Sequence, residues 1–282
     1  MIEQKRNKLN HLAGILPEGL LADSAWLERH GYARSLRSYY VANGWLQRPV
    51  RGLFRRPRGE LGWEQVAISL QALMSCSVTV GGATALYLQG YAHYVPHTLK
   101  HIYLYSDDKL PSWLYHLDLE QQFIVRNRQR LFSVDNPLGD NWDLDVKTNH
   151  DAVLKGGFRV LHWGQWQWPL VVSTPERAYL ELLDELPKHE EFHNADVLME
   201  GMVDIDPFRM QELLEQTKSV KVKRLFFLYA DRHNHAWWKH IKRDRIDLGQ
   251  GKRSLVKHGK LHPQYKITVP DEFGGEEPNA IW

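Results

Sequence analysis

Apolar residues recur at helical spacing near the start of the chain, at Leu9, Leu12 and Ile15, and predict a helix over residues 4–15. Pro17-Glu18-Gly19 breaks it, and Leu20-Leu21 reads as a short strand. Ser24–His30 predicts a short helix with Asp23 or Ser24 as N-cap, because a side-chain oxygen there accepts a bond from a first-turn N–H that has no partner within the helix. Gly31 supplies the positive φ of a tight turn. A second helix is predicted from Ala33 to Asn43, with Ala33, Leu36 and Tyr40 on its apolar face. Arg34, Ser35, Arg37 and Ser38 then stand on the opposite face, close to the helix N-terminus. Asn43-Gly44 ends this helix. Trp45–Arg48 and Gly52–Arg56 read as strands joined by a turn at Pro49–Gly52. The order helix, turn, helix, hairpin predicts a winged helix-turn-helix over residues 1–60, with the Leu20-Leu21 strand pairing with the wing.

From residue 63 to 282 the pattern changes. Val66, Ile68, Leu70, Leu73 and Met74 suit a buried helix, and residues 83–89 a second one. Strands are predicted at 77–80, 100–105, 122–126, 158–162 and 170–172. Strands interleaved with helices predict a mixed α/β body, so the fold class is α+β: a small basic N-terminal unit and a larger mixed domain. Thr174-Pro175 opens a helix carrying Ala178, Leu180, Leu182, Leu183 and Leu186, and further helices at 193–201, 207–217 and 219–231 build a helical layer. Residues 265–269 form a last strand.

The net charge is +2, but it is unevenly spread. Residues 1–60 carry eleven Lys/Arg against five Asp/Glu, a surplus of six, which leaves the remainder at −4. A basic module on a mildly acidic body points to a polyanion partner for the first part. Cys76 is the only cysteine, which rules out an intrachain disulfide and a cysteine-based zinc site and fits a reducing cytoplasm. The first ten residues are polar and no long apolar run is present, so neither a signal peptide nor a membrane span is expected.

Three constellations bear on catalysis. Val80-Gly81-Gly82-Ala83 resembles the strand, glycine turn and helix of a nucleotidyltransferase, where the backbone approaches a phosphate. The next strand, however, offers His101 and Tyr103 where a magnesium-binding carboxylate pair is needed, so such a core would be degenerate. Asp143, Asp145 and Lys147 are half of a metal-dependent nuclease site, with Asp135 or Asp140 as a further carboxylate. His189 and His193 have i, i+4 spacing without the glutamate of a metalloprotease motif, and His233 and His235 read as solvated. No catalytic residue, metal or cofactor is expected. A second basic cluster, Lys242 to Lys266, reads first as a solvated face and second as a reach toward a DNA backbone.

The run from Gly31 to Leu46, Arg51 to Pro57, Val80 to Gly90, Thr174 to Ala178 and Tyr265 to Pro270 together resemble AbiEi-type antitoxins, in the same order over most of the chain. The resemblance implies the antitoxin half of a type IV toxin–antitoxin pair, some of which act in abortive infection against phage. It implies a winged helix that represses its own operon at inverted repeats in promoter DNA. It also implies a C-terminal domain that counters a nucleotidyltransferase-like toxin without requiring stable contact. By the same match Arg34, Ser35, Arg37, Ser38, Arg48, Arg51, Arg55 and Arg56 would contact DNA. Two alternatives stay open on the residues alone: a DNA-targeting metal-dependent nuclease, and a transcriptional regulator with a ligand-sensing second domain.

Overall fold

A computed structural model describes residues 2–91, 99–133, 137–138, 142–144 and 156–274. Helix α1 (Ile2–Ile15) buries Leu12 and leaves Leu9 and Ile15 half-covered. Strand β1 (Leu21–Asp23) follows and pairs antiparallel with β2 (Leu53–Arg55). Between them lie α2 (Ser24–Arg29) and α3 (Arg34–Ala42). The N-terminal strand therefore pairs with the hairpin as expected. The hairpin's own first strand does not form: Trp45–Arg48 contributes a single bridge, Gln47 to Arg55, with N–H to C=O bonds of 2.8 and 3.0 Å.

The body is a five-stranded mixed sheet in the order β5-β4-β3-β7-β6, made of β3 (Val78–Val80), β4 (His101–Ser106), β5 (Gln122–Asn127), β6 (Phe158–Trp163) and β7 (Trp168–Ser173). Each predicted strand of this sheet is present within two residues of its expected ends. Helix α4 (Trp63–Ile68) runs into a π-helical turn at Ser69–Leu73. That turn places buried Gln71 against the parallel junction of β3 and β7. Its amide donates to Val78 and Val171 carbonyls at 2.9 and 3.0 Å, and its oxygen accepts from Val171 N–H at 3.0 Å. A side-chain amide thus supplies ladder bonds where the two strands share one residue pair.

Helices α5 (Gly82–Leu88), α6 (Pro175–Glu185), α7 (Phe192–Gly201), α8 (Pro207–Gln216) and α9 (Val220–His233) make the helical layer. Two buried tyrosines of this layer keep partners for their hydroxyls: Tyr179 donates to Ala195 O at 2.9 Å and Tyr229 to Phe192 O at 3.0 Å. A small sheet closes the described chain, with β10 (Ile267–Val269) between β8 (Arg253–Ser254) and β9 (Lys260–Leu261).

One apolar cluster runs from Leu12 through Val66, Val80 and Leu183 to Phe273, so the first sixty residues pack on the same core as the body. The join is also polar, since Leu21 N–H donates to the buried Ser69 hydroxyl at 2.8 Å. Among the described residues no helix is long and apolar enough to cross a membrane.

Candidate nucleic-acid interface

Asp23 caps α2 through its carboxylate, which accepts the Trp26 N–H at 2.6 Å. Gly31, at φ +83°, turns the chain into α3. Tyr32 anchors that turn to α1, because its buried hydroxyl donates to Lys8 O at 2.9 Å and lies 2.8 Å from His11 Nδ1. Burial, with Tyr40 beside it, pushes the Tyr32 phenol up to about 12, so it stays a neutral donor. Tyr40 buries the inner side of α3, whereas Ala33, expected there, is exposed.

Between α3 and the hairpin lies a cavity of about 440 Å³. Arg34 and Ser38 reach it from α3, and Arg48 and Arg51 from the hairpin. Phe54 and Arg37 also line it, and none of the lining residues is acidic. Arg34, Ser35, Ser38, Arg48 and Arg51 are all exposed. The groove therefore concentrates positive charge and hydroxyl donors on one concave strip, which suits an anionic ligand.

Three of the eight expected contact residues have other work. Arg37 is only 6% exposed. Its guanidinium donates to Tyr32 O at 2.8 Å and Ser24 O at 3.2 Å, and lies 5.9 Å from the Phe54 ring. It locks α3 to α2 and to β2, because backbone carbonyls at the helix junction need donors that helix geometry does not supply. Its sequence position suggests a base reader; the fold turns its side chain inward. Arg55 is 5% exposed and donates to the carbonyls of Arg56, Arg58 and Gly59, fastening the chain where it leaves β2. Burial lowers its pKa. Arg56 pairs with Glu18 at 2.8 Å and donates to Ala13 O at 3.4 Å, facing the end of α1.

A second constellation looks similar in sequence and behaves oppositely. Gly81-Gly82 turns β3 into α5, and Gly82 takes φ +54°. The anion at this turn is the protein's own. Glu181, fully buried on α6, accepts from Gly82 N–H at 3.0 Å, from the Ser173 hydroxyl at 2.8 Å and from Arg177 Nε at 2.8 Å. Arg177 is sandwiched between Phe132 and Phe158, 4.4 and 4.2 Å from the ring centroids. Burial raises the Glu181 pKa, against Arg177 and the donors from Gly82 and Ser173, which favour the charged form. A Cβ at Gly81 would collide with Glu181 Oε2, so glycine is required for the carboxylate to fit. Tyr103, standing where a metal-binding carboxylate would be needed, is buried and donates to His189 O at 3.2 Å, while His101 is exposed.

Sequence reasoning missed Glu181. The one signal for it is the i, i+4 pair Arg177/Glu181 inside a leucine-rich helix, which on a buried face implies an internal ion pair. Of the nuclease candidates, Asp143 is exposed, and Asp135, Asp140, Asp145 and Lys147 lie outside the described residues. Among the described residues no group of three His, Cys, Asp or Glu is placed to hold a metal. His233 and His235 are not simply solvated: they bond to Asp196 and to Met199 O, each at 2.7 Å.

Two family models match this chain. Residues 5–97 match the description "Transcriptional regulator, AbiEi antitoxin N-terminal domain", and residues 99–270 match "Transcriptional regulator, AbiEi antitoxin, Type IV TA system". No curated protein sequence matches. Among solved structures, the crystal structure of the RV2827C protein from Mycobacterium tuberculosis is similar. It shares 15% sequence identity, with 92% of this chain and 88% of that chain covered and a TM-score of 0.55, a likeness of fold alone.

Proposed function

The chain belongs to the AbiEi family of antitoxin transcriptional regulators of type IV toxin–antitoxin systems, and from that premise we propose that residues 1–60 are a winged helix-turn-helix reading promoter DNA. The targets are inverted repeats upstream of its own operon, which it represses. Residues 63–282 counter a nucleotidyltransferase-like toxin in the cytoplasm, without need of stable contact and without an enzymatic step of their own.

The observation that carries the DNA reading is the acid-free groove where Arg34 and Ser38 of α3 meet Arg48 and Arg51 of the hairpin. In this reading the N-terminal half of α3 enters the major groove, with Arg34, Ser35 and Ser38 at base edges. Arg48 and Arg51 contact phosphates. Arg37 and Arg55 hold the helix and the hairpin exit in place, and Arg56 braces α1. The body is proposed as a degenerate nucleotidyltransferase-like core whose phosphate position is filled by Glu181, which supports the reading of the body as non-enzymatic.

The test is binding of the full chain to the DNA upstream of its gene and to random DNA, by fluorescence anisotropy at two salt concentrations. Tighter binding to the upstream fragment is expected, with the preference reduced in Arg34→Ala. Equal affinity for both DNAs would defeat the autorepressor reading. No binding at low salt would defeat DNA binding altogether.

A further inference from the structure

The segment from Lys242 to Lys266 carries eight Lys/Arg against two acids, Asp244 and Asp247. Lys242, Arg245, Lys252, Arg253, Lys257 and Lys266 are exposed, and none of the six is in an ion pair among the described residues. Asp247 is engaged locally, accepting the Gly249 N–H at 2.7 Å.

Exposed lysines are common, and alone they mean little. Here they stand on a braced platform. Arg224 of α9, 2% exposed, donates to the carbonyls of Leu248 at 2.7 Å, Gly251 at 2.8 Å, Gly249 at 3.1 Å and Lys266 at 3.2 Å. One buried guanidinium thus fixes two loops. The register of β8 against β10 sets Arg253 beside Ile267, and Arg253 N–H donates to Lys266 O at 2.9 Å. Lys252, Arg253 and Lys266 are therefore held as neighbours. Burial lowers the Arg224 pKa, the nearby Arg253 charge lowers it further, and Asp247 opposes both. Like charges held this close repel, and an external anion would relieve the repulsion.

The chemistry around the platform distinguishes its partner. The large apolar side chains left exposed among the described residues are Tyr39, Trp45, Tyr87, Tyr115, Trp166, Val203 and Phe208, and none lies within the segment. Protein interfaces draw their energy from buried aromatic and apolar anchors. A fixed array of cations without such anchors suits a phosphodiester backbone, which is bound through charge and counterion release.

We propose that Lys252, Arg253 and Lys266 form a second, sequence-independent contact to a nucleic-acid backbone. It adds to the DNA reading of the α3 groove and does not depend on that groove being the reader.

The experiment compares three full-length proteins on upstream DNA and on random duplex across a salt series. They are the wild type, a Lys252→Ala/Arg253→Ala/Lys266→Ala variant, and an Arg34→Ala/Arg51→Ala variant. Melting temperatures confirm that the variants are folded. The triple variant is expected to bind both DNAs more weakly by the same factor, with the salt slope flatter by about 0.9 for each phosphate that is no longer neutralised. Its preference for upstream DNA should be unchanged, whereas the groove variant should lose that preference. If the wild type shows no preference, the reader assignment fails, and the triple variant's weaker binding to random duplex still supports the second contact. Unchanged affinity and slope on both DNAs in the triple variant would overturn it. So would intact DNA binding together with failure to neutralise the toxin, which would assign the platform to an acidic protein.

Discussion

The α3 groove and the Gly81–Gly82 turn both gather arginine side chains beside a helix, toward opposite ends. At the groove, Arg34, Arg48 and Arg51 face solvent with no carboxylate among the lining residues. At the glycine turn, Glu181 supplies the anion from within, and Arg177 is closed between two phenylalanine rings. An identical donor stays open to an outside anion when the fold supplies no counter-charge and becomes a structural element when it does. Arg37 and Arg55 repeat the lesson within the N-terminal unit: lined up with the other arginines in sequence, they are turned onto backbone carbonyls.

The largest effect tests the closed side. Glu181→Leu strands Arg177 in the core and should destabilise the protein by about 3–5 kcal/mol in urea denaturation. Replacing Arg177 by Met as well should recover much of that loss. If Glu181→Leu alone leaves the midpoint unmoved, the pair does not hold the turn.

Arg37→Ala sharpens the division inside the arginine set. Removing two bonds from a charged donor should cost about 2 kcal/mol of stability, and upstream and random DNA should be bound more weakly by the same factor. A normal melting curve together with a selective loss of sequence preference would return Arg37 to base reading. Arg34→Ala is the opposite case: stability within about 0.5 kcal/mol of wild type, and upstream-over-random discrimination reduced by about 1–3 kcal/mol. Asp23→Ala removes the α2 cap and should lower stability by about 1 kcal/mol, measured by thermal unfolding, with the salt slope of DNA binding unaltered. Arg51→Ala is the smallest change: no shift in melting, and a salt slope flatter by about 0.9 if it holds one phosphate.

Much of this architecture was legible in local pattern. Asp23, Gly31 and Asn43-Gly44 bound α2 and α3 close to where they were expected, because caps and turn residues act over a few positions. Thr174-Pro175 started α6 for the same reason, although the buried Thr174 hydroxyl has no hydrogen-bond partner, so proline geometry rather than a side-chain cap marks this end. The hairpin was legible only in part. Trp45–Arg48 has strand composition, but β2 takes its principal partner, β1, from earlier in the chain.

The sequence by itself determined the order of elements, the uneven charge and the family likeness, since periodicity, capping and composition are properties of neighbouring residues. Only the tertiary structure decided which arginines face water. An arginine's long stem lets the same residue type reach solvent or fold back onto carbonyls, and the choice depends on chain distant in sequence. Tyr32 and Ser24 claim Arg37, Leu248 to Lys266 claim Arg224, and Glu181 reaches across 99 residues to Gly82. Those pairings arise when buried carbonyls and charges must find partners, a condition that exists only once the core has closed.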